Sequence, residues 1–306
     1  MADDVQGLAD DVQDYSGLGF VGGTWDRADQ LRGDPQRLAD AFAGPGAREV
    51  LMAGLAPLVD GARLATAALS DGARVEDYVL LGLDAHGPLF LSLAQRDLPH
   101  GGAYTPTIWQ LQSMLDPEEL AHHAMARSLL DWHKRHGFCA NCGHRTDPVR
   151  AGWSRKCGGC GAEHFPRVDP VVIMLAEHEG RVLVGRQPRF PARQYSALAG
   201  FVEPGETFEE AVARELWEEA GVRATSVRYV MGQPWPFPSS LMIACIAPVK
   251  SPELTIDTTE LEDAIWVSRD DVRAALARRN DAPFLAPQPI AVAHHLLRAW
   301  LAESGG

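Results

Sequence analysis

Apolar and polar positions fall into blocks whose period changes along the chain. Two apolar runs, Tyr78 to Leu83 and Pro88 to Leu93, flank His86-Gly87 and predict a β-hairpin. Asp116-Pro117-Glu118-Glu119 then carries a helix-start signature: a carboxylate at the N-cap, proline at the first helical position and acids in the first turn. Leu120, Ala124, Leu129 and Trp132 supply one apolar face, and Gly137 a stop. Pro170 to Leu175 and Val182 to Val184 bracket Glu179-Gly180 as a second hairpin. A Gly-rich loop, a strong helix, further strands and two C-terminal helices follow. The pattern predicts an α+β chain ending in an α/β/α sandwich with a mixed sheet. The first third gives weaker signals, a short helix through Asp26 to Leu31 and a Gly/Ala/Pro-rich middle, and reads as a small mixed domain.

Length and charge narrow the function classes. With 306 residues, 46% of them apolar, the chain can bury about two domains' worth of core. No apolar run approaches the ~20 residues a membrane helix needs. The stretch Met1 to Asp14 is acidic, unlike a secretory or mitochondrial leader, so a cytoplasmic protein with no membrane partner is expected. A formal net charge of −13 disfavours indiscriminate nucleic-acid binding.

Cys139, Cys142, Cys157 and Cys160 form two CxxC pairs fourteen residues apart. In a reducing compartment that pattern reads as metal before disulfide. Zinc takes four tetrahedral ligands, and four thiolates leave no open position, so one structural zinc per chain is expected. Cys245, alone in an apolar stretch, reads as a buried, inert thiol. Around the cluster, Lys134, Arg135, Arg145, Arg150, Arg155, Lys156 and Arg167 outnumber Asp147 and Glu163. Either this is a solvated surface or it faces a phosphate-rich partner such as an RNA 5′ end.

The segment from Gly200 to Val222 carries the chemistry. Thr207 and Glu210 have capping-box spacing, and Gly221 sits where a left-handed residue ends a helix. On that helix Glu215, Glu218 and Glu219 share one surface while Val212, Leu216 and Ala220 form an apolar stripe. Crowded carboxylates repel unless cations offset them or their pKa values rise. Mg²⁺ and Mn²⁺ prefer such oxygen ligands, which suits a metal-assisted phosphoryl site, with Arg214 able to hold a glutamate in place. An ordinary solvated acidic face is the alternative.

The same segment resembles a complete Nudix box, G-x5-E-x7-R-E-U-x-E-E-x-G-U with U aliphatic. Gly200, Glu206, Arg214, Glu215, Leu216, Glu218, Glu219, Gly221 and Val222 occupy its nine fixed positions. Downstream, Gly232-Gln233-Pro234-Trp235-Pro236-Phe237-Pro238-Ser239-Ser240 resembles the SQPWPFPxS array of the NADH pyrophosphatase branch, with Gly232 in place of serine. The resemblance covers about residues 130 to 300 and implies an N-terminal domain (1–132), a zinc ribbon (133–167) and a Nudix domain (168–306). It implies catalytic Glu215, Glu218 and Glu219 holding Mg²⁺ or Mn²⁺, aided by Glu260 and, more loosely, the backbone at Ala199. It carries Gln233, Pro234, Trp235, Pro236, Phe237, Pro238, Ser239 and Ser240 over as substrate-binding residues. Phe201 takes the place of a ring-stacking aromatic, Glu260 of a late acidic contact and Ala293 of a backbone contact. Phe165 falls where the family often has a tyrosine contributed across a homodimer. An acidic substrate contact of some members has no counterpart here, where Gly152 and Trp153 stand.

The implied activity is hydrolysis of the pyrophosphate of NADH or NAD⁺ to nicotinamide mononucleotide plus AMP. A subset of the family removes NAD caps from RNA, which would give the basic ribbon its partner. A non-catalytic nucleotide sensor is a third reading, and the intact set of glutamates argues against it.

Overall fold

The computed structural model describes residues 17–94 and 107–303, so the reading of Met1 to Asp14 as no leader lies outside the described residues. The chain divides into two compact units: residues 20–167 with 236–239, and residues 17–19, 168–235 and 240 onward.

In the first unit a four-stranded sheet is built from β1 (Arg48–Val50), β2 (Thr66–Ala68), β3 (Tyr78–Asp84) and β4 (Gly87–Ser92), in the order β2-β1-β4-β3. β3 and β4 form the expected hairpin, with a bulge between Leu80 and Gly82. Gly82 has φ 153°, and a Cβ there would lie 2.5 Å from the Asp26 carbonyl, so only glycine lets the two backbones bridge. The Asp26–Leu31 helix shrinks to one turn, Asp29–Arg32, because the Asp26 carboxylate accepts from the Ala28 amide at 2.7 Å and caps a turn instead.

A helix beyond those the apolar pattern predicts, α1 (Pro35–Ala43), is capped by Asp34, whose carboxylate accepts from the Gln36 and Arg37 amides. Another, α2 (Ile108–Met114), starts at a Thr107 capping box. The long helix α3 (Pro117–Arg135) buries the expected Leu120, Ala124, Leu129 and Trp132 and ends at His136, before Gly137. Its N-cap Asp116 makes no side-chain cap bond, so proline and the first-turn acids mark that start.

The ribbon follows as β5 (Thr146–Val149), β6 (Ser154–Cys157) and β7 (Glu163–His164), an antiparallel three-stranded sheet. It is pinned within the same unit. Trp153 donates its indole N–H to the Leu80 carbonyl at 2.8 Å, and the Gly152 carbonyl accepts from His133 at 2.8 Å.

The second unit is an α/β/α sandwich. Its strands are β8 (Asp169–His178), β9 (Arg181–Arg186), β10 (Leu198–Phe201), β11 (Arg228–Trp235), β12 (Ser240–Pro248) and β13 (Asp263–Ser268). The order is β11-β12-β8-β9-β13, with β10 on β8; β8 and β12 are parallel and the other pairs antiparallel. β8 is buried from Val171 through Ala176 without alternation, as a strand covered on both faces must be. Val172, Met174 and Ala176 pack against Val212, Leu216 and Ala220 of α4 (Phe208–Ala220). The alternate face carries Glu177, which accepts from the Trp300 indole at 2.8 Å in α6 (Val292–Ala302); α5 (Arg269–Leu276) lies beside α6. Cys245 is fully buried and its thiol is pushed up to about 12 by desolvation.

Candidate active site and metal centre

Helix α4 begins and ends where its sequence says. Thr207 accepts from the Glu210 amide, the Glu210 carboxylate accepts from the Thr207 amide, and Gly221 closes the helix at φ 71°. Burying the Val212–Leu216–Ala220 stripe turns Glu215 and Glu219 partly inward and leaves Glu218 exposed.

Arg214 organises the carboxylates. Its guanidinium donates to Glu206 from Nε (2.7 Å) and Nη2 (3.0 Å), to Glu215 (2.8 Å) and Glu218 (2.9 Å) from Nη1, and to the Phe201 carbonyl (2.8 Å). Glu206 is thereby held below the usual carboxylate range, and Arg214 is raised by the same contacts. Glu215 is raised by burial, which Arg214 opposes.

Glu219 lacks such a partner. It is 3% exposed, its Oε2 is buried without a hydrogen bond among the described residues, and its carboxyl is pushed up to about 8, first by burial and then by Glu215, Glu260, Asp257 and Glu218. A buried acceptor oxygen facing four other acids fits a divalent cation, which would supply the missing partner and cancel the repulsion. Gly200 adds to the cradle: a Cβ there would sit 1.9 Å from the Glu215 carboxylate, so any side chain would expel it. Glu215, Glu218 and Glu260 all act on the Glu219 carboxyl electrostatically, while among the described residues only the four ribbon cysteines converge as a ready-made metal cluster.

A cavity of about 310 Å³ opens beside Glu219, on the small-ligand scale. Of the sequence-derived residues it brings together Ala199, Phe201, Glu219, Trp235 and Ser240. Phe201 is 61% exposed, an aromatic surface facing water. Gln187, Arg189 and Phe190 also line it, and no motif had marked them.

Other members of the array do not line this cavity. Gln233 is fully buried; its amide donates to the carbonyls of Gly19 (2.9 Å) and Ile290 (2.7 Å) and accepts from the Val292 amide (2.8 Å). The Pro236 carbonyl accepts from Arg127 at 2.8 Å, and Phe237 lies under the same guanidinium at 4.5 Å and edge-on to Phe20 at 6.0 Å. Ser239 donates to the Arg167 carbonyl at 2.9 Å. Pro234 and Pro238 are exposed outside the cavity lining, the latter after a cis peptide bond. Ala293 is buried in α6 and does not line the cavity. Phe165 is 57% exposed at the end of the ribbon.

The four ribbon thiols converge, their sulfurs all lying within 4.8 Å of one another. The Cys139–Cys160 and Cys142–Cys157 separations are 3.7 and 3.4 Å, close to the edge of a tetrahedron with ~2.3 Å Zn–S bonds. The Gly159 and Cys160 amides donate to Cys157 Sγ, and Asn141 donates to Cys160 Sγ, contacts that favour thiolates. Among the seven basic residues, Arg135 pairs with Asp131 at 2.9 Å, Arg155 binds Thr146 and His133, and Arg145 lies over the Phe138 ring at 5.4 Å.

The NUDIX domain model matches residues 166–287, and the NADH pyrophosphatase zinc ribbon domain model matches residues 134–165. The chain is 36% identical over 294 residues to the NAD-capped RNA hydrolase NudC of Mycobacterium bovis, covering 90% of this chain and 92% of that protein. It is 43% identical over 206 residues to the human NAD-capped RNA hydrolase NUDT12, covering 64% of this chain and 44% of that protein, so it spans under half of NUDT12. To the mouse mitochondrial NAD(P)H pyrophosphatase NUDT13 it is 36% identical over 258 residues, covering 76% of this chain and 73% of that protein. The fold and site are those of a Nudix protein. The chain belongs to the Nudix hydrolase family, in the branch that carries the NADH pyrophosphatase zinc ribbon. Four converged thiols in that ribbon define a structural zinc site, and the Nudix domain implies a divalent metal. No described helix is long and apolar enough to cross a membrane.

Proposed function

We propose that this protein is an NAD(H) diphosphatase, cutting the pyrophosphate of NADH or NAD⁺ to give nicotinamide mononucleotide and AMP. One observation carries the reading: Glu219, whose Oε2 has no hydrogen-bond partner among the described residues, lines the same cavity as Phe201 and Trp235, a setting that would seat a phosphate beside a flat ring. Glu215, Glu218, Glu219 and Glu260 would hold Mg²⁺ or Mn²⁺, which would supply polarisation of the phosphoryl oxygens and activation of water. Arg214 orients Glu215 and Glu218, Phe201 and Trp235 sandwich the ring, and the Ala199 backbone and Ser240 complete the wall. The domain division 1–132, 133–167 and 168–306, a cytoplasmic site of action and a homodimer that places Phe165 near its partner's substrate belong to this reading.

Removal of NAD caps from RNA is the second reading. Lys134, Arg145, Arg150, Lys156 and Arg167 are exposed on and beside the ribbon, where they favour a polyanion. Its hydrolysis should fall steeply with salt while that of free NADH changes little.

The test is a product assay on NADH, NAD⁺, ADP-ribose and an NAD-capped RNA with Mg²⁺ or Mn²⁺, for the wild type and Glu219→Gln. AMP plus the mononucleotide from NADH, lost in Glu219→Gln with fold and zinc content intact, supports the proposal. Near-normal turnover in that variant removes the metal role.

A further inference from the structure

We propose that Gln187 reads an exocyclic N–H of the ring held in the cavity beside Glu219, an inference that rests on the dinucleotide reading above. Gln187 follows the last residue of β9 and lines that cavity with Phe201 and Trp235. Its Oε1 is buried and has no hydrogen-bond partner among the described residues. An amide oxygen accepts and cannot donate, so the partner it lacks is an N–H or O–H, and a ring N–H in the adjoining cavity would supply one.

The backbone that carries Gln187 is held in place before any ligand arrives. The Gln187 carbonyl accepts from the Phe190 amide at 2.9 Å, closing a turn. Arg186 staples that turn, donating from Nη1 to the carbonyls of Phe190 and Pro191 while its Nε pairs with Glu262 at 3.1 Å. On the far side of the segment Ser196 and Gly185 exchange both backbone hydrogen bonds, at 2.8 and 2.9 Å. An acceptor carried on a fixed backbone discriminates between ligands, because one lacking the donor leaves it buried and unpaired.

Both ends of NAD⁺ carry the required group, an exocyclic NH₂: the carboxamide of nicotinamide and the amine of adenine. Two analogues separate them, one with a carboxylate in place of the amide and one with hypoxanthine in place of adenine. Wild-type protein should cleave one of these with kcat/KM roughly ten- to hundredfold below that for NAD⁺. Gln187→Met, similar in shape and without the acceptor, should lower kcat/KM for NAD⁺ to the level of that analogue. It should leave the analogue, the Mg²⁺ half-activation concentration and the melting temperature nearly unchanged. The analogue affected identifies the ring.

Discrimination that survives Gln187→Met, or equal slowing of all three dinucleotides, overturns the inference and leaves the dinucleotide reading standing. If the wild type cleaves none of them, the dinucleotide reading falls. Calorimetry with AMP against IMP, and nicotinamide against nicotinate mononucleotide, then decides Gln187: a preference lost in the variant supports the inference, and its absence or persistence defeats it.

Discussion

Arg214 grips Glu206 with both edges of its guanidinium, Nε to Oε1 at 2.7 Å and Nη2 to Oε2 at 3.0 Å. The remaining nitrogen, Nη1, reaches Glu215 and Glu218 at once. One planar cation therefore ties the loop before α4 to two carboxylates on it. Lysine keeps the charge and loses the fork. Arg214→Lys should lower kcat/KM for NADH about ten- to hundredfold and raise the Mg²⁺ concentration for half-activation. A metal titration of activity checks it, and an unchanged half-activation point would confine Arg214 to packing.

Trp235 and Phe237 are two residues apart and do different work. Trp235 lines the cavity, whereas Phe237 lies beneath Arg127 at 4.5 Å. Trp235→Ala should weaken NADH use more than ADP-ribose use, with a small change in melting temperature. Phe237→Ala should cost about 1–2 kcal/mol of stability, the residue being half-buried, with a smaller effect on KM. Thermal unfolding beside steady-state kinetics separates the two, and a swapped pattern would exchange their roles.

What the sequence disclosed was set by range. The capping box at Thr207, the left-handed Gly221 and the paired CxxC knuckles act within a few residues, and the structure keeps them all. The helix at Pro35 is equally local: its start rests on the Asp34 cap and Pro35, a short signal set in a Gly/Ala/Pro-rich stretch. Gln233 was different in kind. Its partner Gly19 lies 214 residues away, and nothing in the Trp-Pro array announces that a glutamine beside it is buried scaffold. Gln187 belongs to the same class, since an acceptor without a partner shows only after the chain has closed around it.

Zinc should be structural. With Sγ separations of 3.4 and 3.7 Å already set, one zinc per chain should be found by metal analysis. Cys157→Ser should release it and collapse amide-exchange protection across β5 to β7. Protection that persists without zinc would show that the hydrogen bonds from Trp153 and His133 suffice to hold the ribbon.

His133 gives the first unit an acid limit. It donates from Nε2 to the Gly152 carbonyl and accepts at Nδ1 from Arg155 at 2.9 Å, so only the neutral ring fits, and burial lowers its pKa to about 4. Above pH 6.5 both folded and unfolded chains leave it neutral and its contribution is complete. As pH falls below 6.5 the unfolded chain takes the proton first, and stability declines until the folded ring also titrates near pH 4. The full loss is up to about 3 kcal/mol at ~1.4 kcal/mol per pKa unit. His133→Gln should be less stable at pH 7 and flatter between pH 6.5 and 4.5 in denaturant titrations; an equally steep decline would assign the acid limit to other groups.

Gln233 is the sharpest divergence between family pattern and geometry. Three buried hydrogen bonds converge on one amide, two donated to carbonyls and one accepted from an N–H, at 2.7 to 2.9 Å. Gln233→Leu fills the same space and strands all three partners, each costing about 1–3 kcal/mol when buried and unpaired. The expected loss is at least about 3 kcal/mol, lowering the melting temperature by on the order of 10 °C. Gln233→Glu keeps the acceptor for Val292 but turns an acid toward two carbonyls, so it should be no better than leucine. At a temperature where either variant remains folded, KM for NADH should match the wild type, because this side chain does not reach the cavity. A normal melting temperature with a raised KM would return Gln233 to the substrate.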